Sequence, residues 1–241
     1  MRYKKLYSLL KCTNQKIKSF EKILAYNGEL HISVLQYINI VLQFINMDNT
    51  VGSLTKFERS VIIGSILGDG YLRIIPGRNN AFLEINHSIK AKEYVDYKYK
   101  VLERLCVSGP VERNGNDGRV AYRFFTKQHK DLTDFYNEFY KDHKKLIPRN
   151  ITLDPISLSI WYMDDGSRCR DSDIYLNSQQ FSINDQKTLL VALRKIGIKA
   201  RLNKDKKYHR IRILKESVSD FMKMIQPYVI ESMKYKLVMT P

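Results

Sequence analysis

The chain has 241 residues, 44% hydrophobic and 11% aromatic, which is enough apolar material for one large core or two small ones. Lys and Arg total 41 against 25 Asp and Glu, a formal charge of +16 that would self-repel without a polyanionic partner, of which nucleic acid is the leading candidate. The basic residues are spread through aromatic-rich, periodic segments, which excludes a disordered basic tail, and no apolar run reaches the roughly 18 residues of a membrane span.

Residues 1–53 lack proline and interleave apolar residues with Arg2, Lys4, Lys5, Lys11, Lys16 and Lys18, a pattern that predicts a helical N-terminal extension. Its richest apolar stretch, Ile32 to Met47, is broken by Gln36, Asn39 and Gln43, and a polar link follows to Ser53. Thr55-Lys56-Phe57-Glu58 has capping-box spacing and opens a helix toward the apolar run that ends in Gly68-Asp69-Gly70. Next, Ala81, Leu83 and Ile85 alternate with Phe82, Glu84 and Asn86 as in a half-wet strand. A helix is expected over 90–105, a strand over 119–127 with Arg119, Arg123 and Lys127 on one face, and a helix over 132–140.

The order then repeats. Asp154 and Pro155 supply an N-cap and a first helical residue for the run that ends in Asp164-Asp165-Gly166. Ile174 and Leu176 alternate with polar neighbours, Ser182 caps a helix over 183–196, Arg210 and Arg212 share one face of a strand over 208–213, and a helix covers 218–225. Asn86 and Asn177 are 91 residues apart (177 − 86), as are Lys145 and Lys236 (236 − 145), while the motif aspartates are 96 apart (165 − 69). An internal duplication with a pseudo-twofold axis is the simplest account. Gly64 and Gly68, four apart, mark a helix face that another backbone approaches closely, so the two motif helices are expected to cross there and bring Asp69 and Asp165 together. Cys12, Cys106 and Cys169 show neither metal nor redox spacing, and His31, His87, His129, His143 and His209 form no ligand pair, so they are expected to be ordinary surface or partly buried histidines.

Both acidic segments, Ile62-Ile63-Gly64-Ser65-Ile66-Leu67-Gly68-Asp69-Gly70 and Leu158-Ser159-Ile160-Trp161-Tyr162-Met163-Asp164-Asp165-Gly166, resemble the nine-residue motif of the LAGLIDADG homing endonucleases, in the class that carries two motifs in one chain. The resemblance covers about 54–240. It implies a mixed α/β (α+β) fold of two αββαββα half-domains, 54–150 and 151–241, with motif helices at the centre and antiparallel sheets forming a DNA-binding saddle. It also implies a monomeric, metal-dependent endonuclease that cuts both strands of a long DNA target during intron homing. Asp69 and Asp165 carry over as metal ligands for Mg²⁺, with Mn²⁺ substituting and the Gly68 and Asp164 carbonyls as further donors. Lys145 and Lys236 carry over as the basic residue near each catalytic aspartate, so these four side chains form the expected catalytic set. Asn86, Asn177 and Gln179 are expected to position water or reach bases, and Arg73, Glu84, Arg119, Arg123, Lys127, Arg201, Arg210 and Arg212 to contact double-stranded DNA. Ile160 and Asp164 stand where the family favours small residues, so the second helix is expected not to pack tightly along its whole length. The alternative is a maturase acting on intron RNA. Abundant Lys, Ile, Asn and Tyr suggest an A/T-rich genome, and with the family's habit of occupying organelle introns point to a mitochondrion before a plastid.

Overall fold

Thr55 caps helix α1 (Lys56–Leu67) as its spacing requires: its hydroxyl accepts from the Glu58 N–H, and the Glu58 carboxylate accepts from the Thr55 N–H at 2.7 Å. The computed structural model that shows this describes residues 52–115, 118–170 and 173–237. The helical extension expected over 1–53 therefore lies outside the described residues, apart from its last two. After α1 come β1 (Tyr71–Ile74), β2 (Ala81–Ser88), α2 (Lys92–Leu102), β3 (Val111–Asn114), β4 (Val120–Phe125) and α3 (Lys130–Phe139). A short hairpin, β5 (Tyr140–Lys141) and β6 (Lys144–Lys145), turns through Asp142 and His143, both at positive φ, the geometry that matches strand twist in a two-residue loop.

The second half repeats the order with α4 (Pro155–Asp165), β7 (Gly166–Arg170), β8 (Asp173–Leu176), α5 (Ile183–Lys195), β9 (Ala200–Asp205), β10 (Tyr208–Ile213) and α6 (Lys215–Ile225). Asp154 caps α4 and Ser182 caps α5 as expected. A 3₁₀ segment, Glu231–Leu237, follows. The two four-stranded antiparallel sheets have the same order, β1-β2-β4-β3 and β7-β8-β10-β9, the mixed α/β architecture implied by the motifs.

Strand register divides each sheet into two faces. Tyr71, Glu84 and Phe125 are cross-strand neighbours on one face, whereas Leu72, Leu83, Ile85 and Phe124 point the other way and are buried under the helices. In the second sheet Ile174, Leu176, Ile211 and Ile213 are buried, leaving Tyr175, Arg210 and Arg212 on the opposite face.

At the centre α1 lies against α4. A Cβ added to Gly64 would fall 2.5 Å from the Ser157 carbonyl and 2.6 Å from Ile160 Cβ, and one added to Gly68 would fall 2.4 Å from Asp164 Cβ. The expectation of loose packing around Ile160 and Asp164 is thus corrected. The bulky residues of α4 sit in the hollows left by the glycines of α1, so the helices pack tightly because the two motifs differ.

Candidate functional site

The helix contact brings both motif aspartates to one cleft. Asp69 lies just beyond Gly68, the C-cap of α1, with its side chain 48% exposed, and Asp165 is the last residue of α4. Both line a cleft of about 770 Å³, together with Tyr71, Lys145, Asn177, Gln179 and Gln180. Lys145, delivered by the β5–β6 hairpin, donates from Nζ to the Gly68 carbonyl at 2.8 Å. Lys236 donates to the carbonyls of Met163 at 2.5 Å and Asp164 at 3.0 Å. Each lysine therefore covers the carbonyl pole of one motif helix, where a cation is favoured. The expected lysines and the expected carbonyl donors thus meet each other directly.

This crowding shifts proton affinities. Burial, with the nearby charges of Asp69 and Asp164, pushes Asp165 up to about 7, against the pull of Lys145 and Lys236. Burial likewise brings Lys145 down to about 8, although the three aspartates oppose it, and lowers Lys236. Two carboxylates and two main-chain carbonyls supply the hard oxygen donors that divalent cations such as Mg²⁺ take, with a lysine ammonium on each of those carbonyls.

The neighbouring Asp164 is a different kind of residue. Its carboxylate is fully buried and accepts from Lys98 Nζ at 2.7 and 3.0 Å and from the Asp69 N–H at 3.2 Å. Burial alone would raise its pKa, but the charges of Lys98 and His87 outweigh that and hold it below the usual range. His87 lies between the acids, Nδ1 3.5 Å from Asp69 Oδ2 and Nε2 3.7 Å from Asp164 Oδ1. Its side chain is only 10% exposed, the partly buried case among the surface or partly buried histidines expected, and its place between two carboxylates was not anticipated. Asp69, His87 and Asp164 form a ligand-like trio, but the Lys98 ammonium already pairs with Asp164 there.

The remaining site residues separate clearly. Gln180, adjacent to the predicted Gln179, is the glutamine that reaches across the halves: its amide nitrogen lies 3.0 Å from the Leu67 carbonyl, 3.4 Å from that of Gly68 and 3.5 Å from Asp165 Oδ2. Gln179 and Asn177 line the cleft, and the Asn177 main-chain N–H donates to the Asp165 carbonyl. Asn86 is exposed, opposite Arg123 on the wet sheet face.

Glu84 is buried, contrary to an open DNA contact, because Arg73 pairs with it at 2.9 Å and Arg123 approaches at 3.8 Å. The same arginines stack over Tyr71 and Phe125. In the second sheet Arg210 lies 3.8 Å over the Tyr175 ring, Arg212 pairs with Asp173, and exposed Arg201 is opposite Arg212. Arg119 and Lys127 are exposed at the two ends of β4. Tyr71 belongs both to the Arg73–Glu84 face and to the cleft wall, so the basic face runs into the site.

Two motif helices crossing at glycines, two repeated sheets and paired aspartates define the class: the chain belongs to the LAGLIDADG DNA endonuclease family, whose model matches residues 59–221. It is 30% identical over 202 residues to the probable intron-encoded endonuclease 1 of Wickerhamomyces canadensis, covering 77% of this chain and 85% of that protein. It is equally 30% identical over 233 residues to the cytochrome b mRNA maturase bI2 of Saccharomyces cerevisiae, covering 86% of this chain but 55% of that one. Among solved structures it superposes on the homing endonuclease I-WcaI bound to its DNA recognition sequence with a TM-score of 0.72 at 25% identity, over 90% of this chain and 98% of that one.

Proposed function

We propose that this chain is a monomeric, site-specific double-strand DNA endonuclease of the intron-homing kind, with half-domains at 54–150 and 151–241. The observation that carries the reading is the delivery of Asp69 and Asp165 to one lysine-flanked cleft between two basic sheets. Asp69 and Asp165 fit a divalent cation on the chemistry of their donors: carboxylate and carbonyl oxygens converge, and burial beside Asp69 and Asp164 pushes Asp165 up to about 7. Mg²⁺, with Mn²⁺ as substitute, is the fitting ion, and when bound it supplies Lewis acidity toward the scissile phosphate.

The chain's own residues do the rest. Asp69 and Asp165 would hold the ions, and Gln180 bridges Asp165 to the end of α1. Lys145 and Lys236, held at the helix ends, face the negative charge that develops on a departing oxygen. Arg73, Arg123, Arg210 and Arg212 present guanidinium forks in fixed directions, suited to guanine edges and phosphates of a major groove. Arg119, Lys127 and Arg201 add salt-dependent affinity through phosphate contact.

The test is incubation of purified protein with the intronless form of its insertion locus in Mg²⁺ at low salt, with both ends mapped. Double-strand cleavage by the native protein, and its loss in Asp165→Asn, are expected. Unimpaired double-strand cleavage by that variant sinks the assignment. The maturase relative supports a second reading, assistance to intron RNA splicing, which a splicing assay run beside the cleavage assay separates. The cytochrome b messenger in that relative's name is what supports an organellar origin.

A further inference from the structure

The two halves share a topology but differ in what stands behind their aspartates. Behind Asp69 a buried ion pair crosses between halves: Lys98 comes from α2 and Asp164 from α4, and neither side chain is exposed at all. Asp164 Oδ2 also accepts the Asp69 N–H, and the His87 ring spans the space between the two carboxylates. Asp69 is thereby held through its main chain, with the His87 ring beside its carboxylate.

The corresponding place behind Asp165 is built from other materials. At the repeat spacing of 91 residues, Lys98 corresponds to Leu189 (98 + 91) and His87 to Ser178 (87 + 91), while at the motif spacing of 96, Asp164 corresponds to Gly68 (164 − 96). Leu189 is apolar and fully buried, Gly68 has no side chain, and the buried Ser178 hydroxyl has no hydrogen-bond partner among the described residues. Asp165 has one amide nitrogen, that of Gln180, at 3.5 Å from its carboxylate.

We infer that Lys98 and Asp164 are a positioning pair that fixes the Asp69 half-site, so that the two DNA strands are cut by unequally braced carboxylates. The inference rests on the endonuclease reading. A buried ammonium and carboxylate hold each other strongly in place once both are out of water, and removing one leaves the other charged and unpaired. The consequence falls first on Asp69, whose N–H is bonded to that same carboxylate, and a displacement of about 1 Å at a reacting group slows chemistry by on the order of 10²-fold.

The test uses the full chain, a supercoiled plasmid with one target site, and a duplex labelled separately on each strand. Lys98→Met and Asp164→Asn are each expected to slow one strand's cut by about 10–100-fold and the other far less, so that nicked plasmid accumulates. Without metal, each single variant should melt about 10 °C below the native protein, and the isosteric double variant should recover much of that loss. If a single variant fails to fold, the strand bias is read in the double variant. Equal slowing of both strands, measured well below every melting point, overturns the inference, as does simple addition of the two single losses in the double variant. Failure of the native protein to cut either strand would count against the endonuclease reading and leave the melting comparison to decide the pair on its own.

Discussion

Asp69 and Asp165 occupy one position in two copies of the same design, yet one is half exposed and braced by a buried ion pair while the other is partly buried and holds its proton to about neutrality. The frame around them is copied more faithfully than the chemistry. Sheet order, capping and the lysine that covers each helix end are common to both halves, because backbone geometry demands them. Side chains beside the aspartates diverge wherever a pocket tolerates a different filling. Equivalence in position is therefore weak ground for assuming equivalence in rate or proton affinity.

The largest expected effect erases the contrast. Asp69→Asn or Asp165→Asn should lower double-strand cleavage by roughly three orders of magnitude while leaving DNA binding nearly intact, since the basic sheets remain. Gel-shift and plasmid cleavage on the same preparations check both halves of that statement. Next, Gly68→Ala forces a methyl to within 2.4 Å of Asp164 Cβ, and should lower stability by about 1–3 kcal/mol or more, read as a fall in melting temperature. The same change at exposed Gly118 meets no neighbour within 4 Å, but its φ of +70° makes it strained for another reason, so Gly52, with open space and no such φ, is the proper control.

A pH experiment sharpens the comparison further. Because the folded chain raises Asp165 to about 7, it binds a proton there that the unfolded chain, with a carboxyl near ~3.9, has already released. Stability from this group is fully present below about pH 4 and is lost as pH rises through about 7. In metal-free protein Asp165→Asn should therefore be the more stable form at about pH 8, by on the order of 1–3 kcal/mol, with the difference closing toward about pH 4. A variant that loses stability at high pH would contradict the crowding of carboxylates at this site. The smallest effect concerns the sheets: Glu84→Gln frees Arg73 and Arg123 and should reduce the preference for target over scrambled duplex by about tenfold, with little loss of overall binding.

Much of this was legible in the sequence. Thr55, Asp154 and Ser182 set helix starts through local hydrogen bonding that needs no tertiary partner, Pro155 through its fixed φ, and period-two alternation gave β2, β4, β8 and β10. The shared spacing of Lys145 and Lys236 survived folding because each half carries its own lysine to its own helix end. His87 was overlooked although it has the same strand parity as Ala81, Leu83 and Ile85, which places it on the core side. Lys98 similarly occupies a core position of α2, in line with Tyr94, Val95 and Leu102, and only the fold reveals that its counter-charge is Asp164. Gln180 was missed by one position, because in a turn a single-residue shift redirects a side chain, and nothing local fixes that register. Glu84 sits on the wet face as alternation predicts, but long arginines folded over it and buried it.

The glycine hollows of α1 and the bulky knobs of α4 also act as a key between non-identical partners. A pairing of two first-motif helices would set glycine against glycine and leave Lys98 facing no acid, whereas two second-motif helices would drive Ile160 into Ile160 and one buried Asp164 toward another. Shape and charge therefore select the mixed pair from both directions. The repeated topology thus forms a lock in which each half is foreign to itself, and its two sheets offer a target two different surfaces.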